Sequence, residues 1–77
     1  MSLRDEVKAV IREIEREKRE ARRVPGYALD VEVKARFPGR EKEVREALRS
    51  LYKEREIEAG RTLNNTWIRT KNERNGV

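Results

Sequence analysis

Arg61, Arg69 and Lys71 lie in a stretch, residues 59 to 72 (AGRTLNNTWIRTKN), that holds three cations and no acid. Asn64 and Asn65 sit among them. Cationic and amide donors in this pattern can hold phosphate oxygens or probe the minor groove of a nucleic acid. The plainer use of the two asparagines is turn chemistry, with the cations as scattered surface charge. A second acid-free stretch, residues 21 to 29 (ARRVPGYAL), carries Arg22 and Arg23, which are candidates for contact with a nucleic-acid backbone. Elsewhere the two signs interleave and cancel locally.

Other chemistry is excluded by residue type. The chain has neither His nor Cys, which removes disulfides, thiol chemistry, zinc sites of the usual kind and a histidine base. No phosphate loop or paired-carboxylate motif stands out from the charge background, so no enzyme, cofactor or metal is expected. The net charge of +5, from 20 Lys+Arg against 15 Asp+Glu, favours anionic partners, nucleic acid foremost. No apolar run approaches the roughly 20 residues that span a bilayer, and none reads as a signal peptide. No membrane partner is therefore expected, and because secreted domains this small usually need disulfides, their absence points to the cytoplasm.

The elements that must position these residues follow from periodicity. Of 77 residues, 45% are charged and 35% hydrophobic, enough for a single domain over residues 1–77 with a modest core. Leu3, Val7, Val10, Ile11 and Ile14 form one helical stripe, which predicts a helix over 3–23 with Ser2 as its N-cap. Past Ile14 the chain reads as a solvated helical extension, held by pairs such as Glu15–Arg19 and Arg16–Glu20. A weak heptad (Val7, Val10, Ile14, Ala21, Val24) leaves a homodimer through residues 3–24 open, although Glu17 interrupts its seam. Val24-Pro25-Gly26 ends the helix.

Tyr27 to Phe37 (YALDVEVKARF) is ambiguous. Apolar residues at every second position suggest a strand, while Leu29, Val33 and Phe37 at every fourth suggest a helix. Beyond the Pro38-Gly39 break, Val44, Ala47, Leu48 and Leu51 mark one face of a helix over 40–54. A hairpin over 56–70 and a polar tail over 71–77 complete the chain. Tyr27 and Phe37 are expected in the core, and Trp67 as its cap.

Val33, Phe37, Val44, Leu48 and Leu51 are separated by gaps of 4, 7, 4 and 3. Two helices facing each other across a tight turn need this arrangement, which favours a helix over 29–37 with a short strand near residues 26–28. Val31 and Ala35 then lie to its sides, and Glu32, Lys34 and Arg36 mostly in solvent. On VEVKARFPGREKEVREALRSL and LYKEREIEAGRTLNNTWIRT the chain resembles the winged helix-turn-helix superfamily, over roughly residues 3 to 70. It is most similar to LexA-like N-terminal domains and to small winged-helix proteins of prophages and mobile elements. It departs from them at Lys34, where a small residue is usual, and in using Pro38-Gly39 as the turn.

The resemblance implies an α+β fold: three helices, a C-terminal hairpin as the wing, and a partner in double-stranded DNA. Its recognition helix would run from Arg40 to about Lys53. Arg45 and Arg49 would address guanine edges and Lys42 a phosphate, with Arg40 at the helix start. Arg61, Asn64, Asn65, Arg69 and Lys71 would serve the wing. The plainer account of the helix is a solvated face with Lys42–Glu46 and Glu41–Arg45 pairs. The implied role is a transcriptional regulator, or an accessory factor in replication or recombination. The alternative is a protein-interaction module on the same scaffold, which the acids of the helix would suit.

Overall fold

Val7, Ile11 and Ile14 recur at helical spacing because one side of the first segment must be buried, and all three are. A computed structural model describes residues 2–22 and 26–71. The first helix, α1, spans Leu3–Glu20. The Ser2 hydroxyl accepts the Asp5 N–H at 3.2 Å, and Asp5 and Glu6 sit at the positive end of the helix dipole. The helix ends before residue 23 because Ala21 caps it and Arg22 adopts a left-handed conformation (φ 56°), donating its N–H to the Arg19 carbonyl. Arg23, Val24 and Pro25 lie outside the described residues, as do residues 72–77.

The ambiguous segment is both structures in turn. Strand β1 is Ala28–Leu29, later than the strand expected near 26–28. Helix α2 is Asp30–Ala35, shorter at both ends than 29–37. Leu29 is held in the sheet, and the Phe37 N–H already turns back to the Lys34 carbonyl at 3.0 Å. The Phe37 carbonyl then accepts the Arg40 N–H at 3.0 Å across Pro38-Gly39, with Gly39 at φ 81°. Proline second and a positive-φ glycine third make a type II turn.

Helix α3 is Glu41–Lys53, with Arg40 and Glu54 as caps rather than helical residues. Its C-terminus closes as a Schellman motif. The Glu56 N–H reaches the Leu51 carbonyl at 2.9 Å and the Arg55 N–H that of Tyr52 at 3.0 Å, with Arg55 at φ 63°. Strands β2 (Ile57–Arg61) and β3 (Thr66–Thr70) form the hairpin, and Glu56 precedes it, although its carbonyl accepts the Lys71 N–H at 3.2 Å.

Among the described residues the architecture is α+β: three helices against a three-stranded antiparallel sheet of order β1-β3-β2. The core joins Val7, Ile11 and Ile14 of α1, Val33 of α2, Val44, Ala47 and Leu51 of α3, and Ala28, Ile57 and Ile68 of the sheet. Phe37 and Leu48 pack against it from the edge. With β1 only two residues long, carboxylates continue the ladder along β3. Asp30 accepts the Thr66 N–H at 3.2 Å, and Glu15 accepts the Thr70 N–H at 2.8 Å and its hydroxyl at 2.7 Å.

That use of Glu15 removes the Glu15–Arg19 pair expected on α1, and Arg16 bonds Glu13 at 2.6 Å instead of Glu20. Lys18, expected in solvent, is buried. Its ammonium donates to the Tyr27 carbonyl at 3.0 Å and to Glu32 at 2.8 Å, while Glu32 also accepts the Leu29 N–H at 2.9 Å. Glu32 and Lys34 are accordingly half-buried rather than solvated.

Trp67 does not cap the core. Strand alternation sends Ile68 inward and Trp67 to the opposite face, where it pairs across the ladder with Gly60. Tyr27 packs there too, with ring centroids 5.5 Å apart, so this ring also lies outside the core cluster.

Candidate nucleic-acid interface

On α3, burying Val44, Ala47 and Leu51 turns Lys42, Arg45, Arg49 and Tyr52 outward along one stripe. The type II turn at Pro38-Gly39 sets α2 beside this helix, and the hairpin rises at its C-terminal end. Between α2, α3 and the hairpin lies a groove of about 470 Å³. Lys34, Arg45, Arg49 and Arg61 stand on its rim, and Leu48 and Ile57 form part of its floor. Asp30 is the one acid in the lining among the described residues. It is engaged by the Thr66 N–H and by Lys34 at 3.7 Å.

Among the described residues, Arg45, Arg49 and Arg61 have no carboxylate within ion-pair distance. The Lys42–Glu46 and Glu41–Arg45 pairs do not form. Glu43 is held by Arg40 at 2.8 Å, and Glu41 accepts the Gly39 N–H at 3.4 Å. Arg40 is thus neutralised at the start of α3, whereas Lys42, exposed and outside the groove lining, has no ion pair among the described residues.

Asn64 and Asn65 adjoin Arg61 around a polar hollow of about 270 Å³ at the hairpin tip. The Thr62 N–H donates to the Asn65 carbonyl at 2.7 Å, and the Thr62 hydroxyl accepts the Asn65 N–H at 2.9 Å. The asparagine backbone therefore closes the turn, which leaves the Asn64 side chain exposed.

Arg69 and Lys71 stand apart from this group. Arg69 lies on the outer face of the sheet, 5.9 Å from the Trp67 ring centre and bonded to Glu58 at 2.5 Å. That guanidinium holds the Glu58 carboxyl below its ordinary value. Lys71 follows β3 at its far end, beside α1. Arg22 follows α1, outside the groove lining.

Three residues at the groove and the hairpin tip carry no clear mark in the sequence. Lys34 reads there as a solvated side chain and a departure from a small residue. Tyr52, 55% exposed, continues the Arg45–Arg49 stripe by three residues. Leu63, 97% exposed, stands at the hairpin tip among turn residues. Helical spacing could have found Tyr52; nothing in the spacing marks the other two.

Among the described residues no cluster of acids is arranged to hold a metal ion, and no helix is long and apolar enough to cross a membrane. No family model, curated protein or solved structure matches the chain.

Proposed function

We propose that this chain is a winged-helix protein that binds double-stranded DNA in the cytoplasm, without enzymatic activity, as a regulator or accessory factor. The observation that carries the reading is the convergence of Arg45, Arg49 and Arg61, all unpaired among the described residues, on one groove. The element order supports it: helix, short strand, helix, tight turn, helix and hairpin, with the last strand central in the sheet. In this reading α3 enters the major groove and offers Arg45 and Arg49 to base edges. Lys42 takes a phosphate, and Arg61 with Asn64 and Asn65 engages the flanking backbone or minor groove.

The test is fluorescence anisotropy on a mixed-sequence duplex over a range of salt. Affinity should fall steeply as salt rises, because each phosphate contact releases counterions. Arg61→Ala should weaken binding to all sequences and flatten the salt dependence. Arg49→Ala should relax preference at one base pair, a loss of about 1–3 kcal/mol of discrimination. Absence of salt-sensitive binding at low ionic strength would refute the reading. A protein-interaction module is the second reading. Glu46, exposed on α3 and without an ion pair among the described residues, favours it because a carboxylate there repels phosphate.

A further inference from the structure

A second groove, of about 840 Å³, runs between α1 and the C-terminal end of β3 and, among the described residues, shares no lining residue with the first. It opens where the two-residue β1 stops short and leaves the end of β3 facing α1. Among the described residues six cations line it, Lys8, Arg12, Arg16, Arg19, Arg69 and Lys71, against the three acids Asp5, Glu13 and Glu15. Three of the cations are already used: Lys8 on Glu56, Arg16 on Glu13 and Arg69 on Glu58. Arg12, Arg19 and Lys71 have no ion pair among the described residues.

The reason is structural. Glu15, four residues before Arg19, spends its carboxylate on the Thr70 N–H and hydroxyl. Arg12 has Lys8 and Arg16 as its neighbours four residues away, like charges that repel it rather than neutralise it. From Lys8 to Arg19 the row extends roughly 16 Å at about 1.5 Å per residue. Over that length a duplex presents about ten phosphates, at roughly one charge per 1.7 Å. A line of cations beside an open groove matches a linear polyanion better than a single small anion.

We infer that the α1–β3 groove is a second DNA-backbone surface, through which one chain holds two DNA segments at once. Binding in this groove stands on its own residues. Only the bridging of two segments rests on the α3–hairpin reading.

The experiment uses two short mixed-sequence duplexes carrying donor and acceptor dyes, with energy transfer reporting bridging and anisotropy reporting single-duplex binding. The full chain should produce transfer that salt abolishes. Arg12→Glu with Arg19→Glu, both exposed, should remove the transfer and reduce the salt slope by roughly 0.9 for each phosphate left unneutralised. One duplex should still bind to the unchanged first groove. A folded double variant with unaltered transfer and slope overturns the inference. So does polyglutamate displacing duplex from this groove at lower charge concentration, which would mark a protein-docking surface. If Arg49→Ala with Arg61→Ala binds as the parent does while the Arg12/Arg19 variant loses all binding, the α3–hairpin reading falls and this groove stands. No salt-sensitive binding by the parent overturns both.

Discussion

Gly60 and Trp67 show how much depends on one side chain. A Cβ on Gly60 would lie 2.6 Å from three atoms of the Trp67 indole, so the ring rests across β2 only because that position has no side chain. Gly60→Ala should therefore displace the ring, shift the emission of the only Trp in the chain, and cost about 1–3 kcal/mol. Unchanged emission and an unchanged urea midpoint would contradict this packing. The apolar character of Trp67 suggested the core, yet strand parity with Ile68 decided otherwise. Lys18 is the converse case. Its place in a charge run, EREKREARR, reads as solvent-exposed, but the Tyr27 carbonyl and Glu32 draw it inside. Those partners come from elements that periodicity in α1 cannot see.

At the scale of elements, the helices were legible because a 3.6-residue apolar period survives the heavy charge content. The start of α1 at Leu3, capped by Ser2, was legible too, but the C-terminal ends were not, because they depend on backbone capping. Arg55 shows this: a non-glycine residue is held at φ 63° to complete the Schellman closure of α3. Arg55→Gly should relieve that strain and stabilise the fold by about 0.5–1 kcal/mol, raising the thermal midpoint by several degrees. A lowered midpoint would count against the motif. The junction of α1 with β2 offers a pH test. Lys8, at 2.8 Å, and Arg4, at 3.0 Å, hold the Glu56 carboxyl below its ordinary value of 4.5. A depressed folded-state value means the contribution is complete above the unfolded-state value and is lost as pH falls through the folded one. The difference in thermal midpoint between the parent and Glu56→Gln should thus hold steady from neutral pH to about 5 and close below about 4.5. A difference that persists at lower pH would exclude this linkage.

For the whole molecule, net charge is a poor guide compared with where charge remains uncompensated. Among the described residues, free cations gather at two grooves, one between α2, α3 and the hairpin and one between α1 and β3, while Lys42 lies outside both. The predicted salt dependence belongs to those grooves rather than to the total. Of the sequence candidates, Arg45, Arg49 and Arg61 converge, whereas Arg69 and Lys71 lie elsewhere, because alternation and the length of β3 carry them past the first groove. Residue type and local spacing were enough to establish which faces of the helices are apolar, that a hairpin follows α3, and that these 77 residues hold neither Cys nor His. They could not establish which cations are free, because that depends on pairings between distant elements. Thr66, Thr70 and Lys18 bring their N–H, hydroxyl and ammonium groups to Asp30, Glu15 and Glu32. A carboxylate engaged by a distant element is not available to neutralise the arginine beside it.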